Sequence, residues 1–356
     1  TGGPLEAEEI QRNTGSTLLG VNQAKCILNR GMARQLAFGA SAILANADPK
    51  VAAEQQEKMI MQGLKEVAMH EVGHTLGLRH NFKASKMLDL KQLNEKTGQA
   101  LVASVMDYNP TNIVPKEWKQ GDYYTTTLGP YDHWAIEYGY KPLSGGTDGE
   151  AKELQKIASR SGDPQLQFAT DEDTVGSDPD PESNRFDLGS DALEYATMRA
   201  QVVKEVIPTL LDRTTKDGDD YTQTRRAFNI LLAQHGQAMF FASRYVGGIH
   251  THRSHKGDKD AKPPIEMVDV KKQRAALDLL ETEVLSDKAY DFPHELYSYL
   301  APSNWNHWGT EGRSRKDFPL HDTIAMWQAR IMSQLLSSTV LERMHDMELK
   351  TPVEED

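Results

Sequence analysis

The chain has 356 residues, of which 38% are hydrophobic and 26% charged, a composition typical of a globular protein large enough for more than one domain. Its 52 acidic and 40 basic residues give a formal net charge of -12, which argues against nucleic acid or an anionic membrane surface as a partner. The single cysteine excludes an internal disulfide, and no apolar run reaches the roughly 20 residues of a membrane-spanning helix.

The start of the chain indicates how the polypeptide was produced. Its opening, TGGPLEAEEI, lacks the basic and then apolar residues of a signal peptide, and the first residue is not Met. We therefore expect a processed or truncated piece of a longer polypeptide. The amino-acid sequence does not by itself predict the cellular compartment of the protein.

Helical patterns dominate the N-terminal part. Residues 16–45 repeat Leu, Ala, Met and Ile at helical spacing, which predicts a first helix. After the turn-like NADPK, a second helix is predicted. Its apolar stripe of Ile60, Leu64 and Val67 leads directly into the stretch MHEVGHTLGLRH.

Beyond this stretch, loops and helices alternate. The Asn- and Pro-containing residues 104–115 predict a loop, residues 131–138 a short helix, and the glycine-rich residues 141–150 a linker. Residues 165–191 are an acidic loop by composition. Further helices are predicted at residues 195–210, 224–245, 271–285 and 321–348.

The stretch MHEVGHTLGLRH carries the chemistry of a metal site. His70 and His74 are four residues apart, so both imidazoles project from one face of a helix. Gly77 can adopt a positive φ, which ends the helix and lets the chain bring His80 back to the same point. Three imidazoles around one zinc ion leave a fourth position for water, as in catalytic zinc sites. Glu71 would accept the proton of that water as it attacks a peptide carbonyl.

The pattern H-E-x-x-H-x-x-G-x-x-H is specific. Given 12 histidines in 356 residues, its five fixed positions arise by chance in about one such chain in ten thousand. This disfavours the alternative, in which these histidines simply fill the core side of an amphipathic helix.

HEVGHTLGLRH resembles the zinc-binding signature of the metzincin metallopeptidases. The resemblance implies a methionine-containing turn below the metal, and SVMDY supplies Met106 for it. Some metzincins place a tyrosine two residues after this methionine, where it contacts the metal or stabilises the oxyanion. Tyr108 occupies that position.

A narrower resemblance extends over nearly the whole chain. HEVGHTLGLRHNFKAS, SVMDYN, LGPYDHWAIEYGY, FATDED, DLGSD and QRAALDLL occur in this order. Together they are similar to the large bacterial zinc-dependent proteases of the Met-zincin type. The resemblance implies an exported endopeptidase, secreted or in the bacterial cell envelope, which acts on protein or peptide substrates.

The expected fold is mainly α, and α+β at most. Residues 1–145 would form a metzincin-like core with the active-site helix and Met-turn, and residues 146–356 a helical C-terminal domain. Metzincins also build a twisted sheet before the active-site helix, and its edge strand holds the substrate. The residues before His70 have helical patterns, so this sheet is expected to be largely missing from the chain. Either its strands lie in an upstream segment of the parent polypeptide, or this form cannot hold substrate in the normal way.

Two alternative functions remain open. The first is an inactive or incomplete metzincin-like domain that serves as a metal-stabilised binding or scaffold module. The missing sheet favours it, whereas the intact Glu71 argues against it. The second is a zinc hydrolase that acts on small amides.

The acidic loop offers oxygen ligands of the kind that calcium prefers, namely Asp178, Asp180, Asp187 and Asp191. Their spacing is not that of an EF-hand loop. The alternative is a solvated loop whose last residues, Ser190 or Asp191, cap the following helix.

Two other segments each allow two functional interpretations. His250, His252 and His255 in IHTHRSH could hold a second metal or belong to a surface loop. The tryptophans of SNWNHWG, at residues 303–309, could form a ligand platform or pack against the helical domain. Covalent catalysis has no support, because Ser104 lacks a Ser-His-Asp framework.

Overall fold

The computed structural model describes residues 28–174, 178–258, 261–303 and 315–350. It is 59% helical and, within these residues, contains a single sheet of two strands, which confirms the mainly α prediction. None of the helices in the described part is long and apolar enough to cross a membrane. Residues 16–27 of the first predicted helix and the tryptophans of residues 304–309 lie outside the described residues.

Eleven α-helices and one hairpin make up the regular structure of the described residues. The helices are α1 (Leu28–Asn46), α2 (Pro49–Thr75), α3 (Gln92–Glu95), α4 (Pro130–Tyr140), α5 (Gly146–Ala158), α6 (Ala192–Val206), α7 (Leu210–Thr214), α8 (Thr222–Ser243), α9 (Val270–Leu280), α10 (Leu320–Leu335) and α11 (Ser338–Glu348). Strands β1 (Ile249–Thr251) and β2 (Ile265–Met267) pair antiparallel, with His250 opposite Glu266.

Helix α2 is the element that carries the metal-site motif. Its N-terminus is capped by the Asp48 carboxylate, which accepts a hydrogen bond from the Lys50 amide at 2.8 Å. It then runs for 27 residues without interruption, so the predicted helix does lead into the motif. The described residues that precede it form α1 rather than strands of a sheet.

The apolar stripe predicted on α2 is divided between core and surface. Val67 packs against the core, whereas Ile60 is 44% exposed and Leu64 is 58% exposed. Met61 and Val72, on the same side of α2, are 59% and 55% exposed. We call Ile60, Met61, Leu64 and Val72 the exposed α2 face.

The largest hydrophobic cluster joins α1 and α2 to α6 and α8. Helix α6 contributes Val202, Val203 and Val206, which pack with residues of the other three helices that include Phe38, Met59, Phe228 and Leu231. Side chains from both sides of residue 145 therefore share this cluster. The division into domains 1–145 and 146–356 stays a prediction.

Two predicted elements differ from the structure. The linker 141–150 is wrong over its second half, because Gly145 adopts φ 99° and starts helix α5, which buries Ile157. The single helix 321–348 is also wrong, since it breaks into α10 and α11. Ser337 is extended at this break, and its hydroxyl caps α11 by accepting a hydrogen bond from the Val340 amide at 3.3 Å.

Candidate metal centre

The C-terminus of α2 turns the chain as the glycine predicted. Gly77 adopts φ 81°. The amide of Leu78 donates to the Gly73 carbonyl at 3.0 Å, and the amide of Gly77 donates to the His74 carbonyl at 3.0 Å. These two bonds form a Schellman motif, which ends the helix and reverses the chain. The turn brings His80 next to the two histidines of α2.

The three histidines meet at one point. The ring centroids of His70 and His74 are 4.7 Å apart, those of His74 and His80 are 4.7 Å apart, and those of His70 and His80 are 5.3 Å apart. One nitrogen from each ring lies within 4.8 Å of the other two. His70 and His80 are buried, whereas His74 is half-buried.

Hydrogen bonds to backbone carbonyls fix the tautomers of His70 and His74. The Nδ1 atom of His70 lies 2.7 Å from the Val105 carbonyl, and that of His74 lies 3.0 Å from the Leu78 carbonyl. A carbonyl oxygen only accepts, so each Nδ1 carries the proton and donates it. Each Nε2 is therefore the nitrogen that carries the lone pair in the neutral ring.

These lone pairs test whether a cation fits. The Nε2 atoms of His74 and His80 are 3.1 Å apart. Nδ1 of His80 also carries its proton, which it donates to Asp171 at 2.7 Å. The two Nε2 lone pairs of His74 and His80 therefore face each other, and a cation between them removes that repulsion. Burial lowers the pKa of His70 to about 4, and burial also lowers that of His80, so both rings are neutral ligands at neutral pH. Three neutral imidazoles are a donor set that zinc prefers.

A carboxylate from the acidic loop supports the third histidine. Nδ1 of His80 donates to Oδ2 of Asp171 at 2.7 Å, and Arg185 donates to the other oxygen of this carboxylate at 3.0 Å. Such outer carboxylates orient a ligating imidazole and raise its basicity. No local pattern predicted Asp171, although it lies in FATDED, one of the segments that carry the family resemblance.

We expect Asp171→Asn to weaken zinc binding by about 10- to 100-fold, as removal of such supporting groups does in other zinc sites. The amide keeps the shape but loses the charge that favours an Nδ1 donor. Competition with a fluorescent chelator measures the dissociation constant. Glu172→Gln, at the next position, changes an exposed carboxylate that pairs with Arg79, and it should leave zinc binding unaltered. Equal affinity in wild type and Asp171→Asn would contradict the supporting role.

The predicted methionine turn lies directly against α2. Met106 is fully buried, and a Cβ atom at Gly73 would overlap its sulfur. Residue 73 lies between His70 and His74 on the helix, so the methionine occupies the floor of the histidine cluster. Gly73 is one of the two unspecified positions of H-E-x-x-H, so the motif did not predict its role.

A buried carboxylate holds this turn in place. Asp132 accepts hydrogen bonds from the Ser104 hydroxyl at 2.6 Å, the Val105 amide at 2.9 Å and the Gly129 amide at 2.9 Å. The Val105 carbonyl is the acceptor for His70. Asp132 therefore positions His70 through the backbone of Val105, and Ser104 bonds to Asp132 within the turn.

We expect Gly73→Ala to destabilise the protein by about 1–3 kcal/mol, because the added methyl group overpacks against Met106. It should also weaken zinc binding, since α2 and the turn must separate. Urea unfolding and zinc competition measure the two effects. Gly139→Ala is the matched control, because a Cβ there meets no atom within 4 Å. A variant as stable as wild type would show that the helix and turn do not pack this closely.

Glu71 and Tyr108 occupy different surroundings. Glu71 follows His70 on α2 and is exposed. Tyr108 is 1% exposed, and its ring lies 4.8 Å from that of His80 and 5.6 Å from that of His70, measured between centroids. It also packs against Phe82, at 5.2 Å. The catalytic roles of both residues stay predictions.

Each of the four carboxylates predicted as calcium ligands contacts a different partner residue. Asp191 caps α6 through the Leu193 amide at 2.9 Å, as the alternative interpretation expected, but the expectation of a solvated loop is wrong, because Asp180 and Asp187 are buried. These contacts give calcium no support. The partners are Arg244 for Asp178, Lys83 for Asp180, Asn184 for Asp187 and Lys272 for Asp191.

The histidines of IHTHRSH also have separate partners. His250 lies with Asp180 and Glu182 in a group that has metal-ligand geometry. However, the ammonium group of Lys83 is 2.7 Å from Asp180, and that of Lys86 pairs with Glu182, so two cations already neutralise these carboxylates. The other two histidines of the segment contact acidic residues, His252 with Glu266 and His255 with Asp258.

Comparison with known proteins agrees with this geometry. A family model described as Met-zincin matches residues 52–356, from the early part of α2 past the last helix. No curated protein and no solved structure matches the chain. The match covers most of the chain, including all three histidines, the methionine turn and Asp171. The chain therefore belongs to the Met-zincin family and contains a zinc-dependent peptidase-like domain.

Proposed function

We propose that this protein is a zinc-dependent endopeptidase. The observation that carries the proposal is the histidine cluster, in which hydrogen bonds to Val105, Leu78 and Asp171 direct three Nε2 lone pairs towards one point. Three histidine ligands, one of them only half-buried, leave a fourth position for water, which is typical of catalytic rather than structural zinc.

The residues of the site have distinct proposed roles. His70, His74 and His80 would hold a zinc ion, which would supply a Lewis acid and lower the pKa of water at the site towards about 7. Glu71 accepts a proton from the attacking water and returns it to the leaving amine. Its exposed position beside His70 supports this role, because substrate and solvent must both reach the base.

Tyr108 is proposed to stabilise the oxyanion that forms during attack. The support is the short distance between its ring and that of His80. Tyr108→Phe keeps this packing and removes the hydroxyl, so a fall in kcat with unchanged zinc affinity would support the role. An unchanged kcat would show that Tyr108 only packs against the histidines and has no role in catalysis.

The function is tested by zinc content and proteolysis together. Mass spectrometry of the native protein should find one zinc ion per chain, and casein digestion should stop after treatment with 1,10-phenanthroline and resume on addition of zinc. Digestion that persists in the zinc-free protein would overturn the mechanism. Retained zinc without digestion of casein would favour the second candidate below, and digestion of short amides alone would favour a small-amide hydrolase.

The second candidate is an incomplete domain whose activity requires more of the parent polypeptide. It is favoured by the exposed α2 face, on which Met61, Leu64 and Val72 are each more than half exposed. Contiguous apolar surface of this kind marks an interaction site, and here it lies on the helix that carries the metal ligands. We infer that an upstream segment of the same polypeptide covers it.

A comparison of two forms distinguishes these candidates. The 356-residue chain and a longer form with its upstream segment should bind zinc equally, whereas casein digestion should be much faster in the longer form. Leu64→Ser should slow digestion by the longer form without changing its zinc content. Equal digestion by both forms would exclude a requirement for the upstream segment.

The cellular location is proposed from the resemblance alone. The similarity to the large bacterial Met-zincin-type proteases supports a secreted or cell-envelope protein from a bacterium. Immunodetection after separation of medium, envelope and cytosol in the source cells would test it. Detection in the cytosol alone would contradict it.

A further inference from the structure

A cavity lined by arginines adjoins the surroundings of the histidine cluster, with which it shares Arg185. Its volume is about 310 Å³, within the lower range of small-ligand pockets. Helix α1 forms one wall, α8 and α10 form others, and the segment around Arg185 separates it from the metal site. Five arginines are among the residues that line it, namely Arg30, Arg34, Arg185, Arg244 and Arg330.

The charge of this cavity contrasts with that of the chain. The whole protein carries a formal net charge of -12, yet no aspartate or glutamate is among the described residues that line the cavity. Arg185 donates to Asp171 at 3.0 Å and to Thr174 at 3.0 Å. Arg244 donates to the Ser183 carbonyl at 2.7 Å and pairs with Asp178 at 3.4 Å, so both guanidinium groups are already bonded within the protein. Arg34 forms no hydrogen bond or ion pair with the residues described.

The remaining wall is aromatic. The guanidinium of Arg330 lies 4.5 Å from the ring centre of Phe240 and 5.6 Å from that of Trp327. Phe186 closes the side towards the metal site, where it packs on Tyr108 at 5.5 Å. Stacking on an aromatic face holds a guanidinium group in a defined plane, so that its donors need less ordering when a ligand binds.

We propose that this cavity binds a compact ligand that carries a carboxylate or phosphate group. Guanidinium groups match both oxyanions with two parallel hydrogen bonds, and several arginines around one space favour such a group over a neutral one. The aromatic wall suits an apolar part of the same ligand. The site is separate from the zinc site, although Arg185 belongs to the walls of both.

Calorimetric titration of the zinc-loaded protein tests the proposal with defined probes. Inorganic phosphate and glutarate distinguish the two oxyanions, and neutral glutaramide controls for shape. We expect saturable binding of at least one anion and none of glutaramide. Arg34→Gln and Arg330→Gln should each weaken binding by about tenfold, because each removes one charged donor.

Arg315→Gln is the matched control. Arg315 is an exposed arginine outside the cavity, where it pairs with Asp322 at 3.2 Å. It should bind the anion as wild type does. The proposal is overturned if neither anion binds saturably, if the cavity variants bind as well as wild type, or if the control loses as much affinity as they do. Circular dichroism of each variant establishes that the fold is retained.

Discussion

Glu71→Gln is expected to lower casein hydrolysis by about 100- to 10,000-fold, the usual contribution of a general base. Glutamine has nearly the same shape but cannot accept the proton of the attacking water. The three converging side chains are those of His70, His74 and His80 and do not include Glu71, so the zinc content of the variant should remain that of wild type. Initial rates on casein, measured beside zinc stoichiometry by mass spectrometry, separate these effects.

The control for this variant is Glu57→Gln, which alters another exposed glutamate of α2. It should change neither the rate nor the zinc content. Normal hydrolysis by Glu71→Gln would exclude Glu71 as the base. Loss of both hydrolysis and zinc would instead show that Glu71 supports metal binding, and the catalytic assignment would then need another residue.

Glu66→Gln should change how the stability of the zinc-free protein depends on pH. Glu66 is 1% exposed on α2, and burial raises its pKa from 4.5 to about 8. The fold holds this proton more tightly than the unfolded chain does. Its stabilising contribution is therefore complete below pH 4.5 and is lost as the pH rises towards 8, by about 1.4 kcal/mol for each pH unit.

Glutamine is neutral at every pH and removes this dependence. The difference in unfolding free energy between variant and wild type should therefore move in favour of Glu66→Gln by about 3 kcal/mol between pH 5 and pH 8. Urea unfolding after chelator treatment at both pH values measures it. Glu54→Gln, an exposed position of α2, should show no such change. Parallel pH profiles for wild type and Glu66→Gln would show that the buried carboxyl is not protonated in the fold.

The surroundings of Glu66 explain why the variant should still fold. One carboxyl oxygen accepts from the Asn109 side-chain amide at 3.2 Å, and the other accepts from the Thr125 amide at 3.0 Å. A glutamine oxygen can keep the bond to Thr125. The side-chain oxygen of Asn109 has no hydrogen-bond partner. If the Asn109 amide flips, this oxygen can accept a hydrogen bond from the amide of the introduced glutamine.

The sequence by itself determined the convergence of the histidines. Helical periodicity places His70 and His74 on one face, and the positive φ of Gly77 reverses the chain within three residues of His80. These are local consequences of backbone geometry, so they can be derived without knowledge of distant contacts. The mainly helical fold class was predictable for the same reason, since apolar spacing reports each helix independently.

Only the tertiary structure decided which distant groups support the site. Asp171 lies 91 residues after His80, and no periodicity relates the two positions. The contact of Gly73 with Met106 and the hold of Asp132 on the turn likewise depend on packing between separate segments. The tertiary structure also decided the exposure of Ile60 and Leu64. A helical pattern identifies the apolar side of a helix, but it does not show whether another element covers that side. Local backbone geometry is encoded within a few residues, whereas burial and long-range pairing depend on how all the elements pack together.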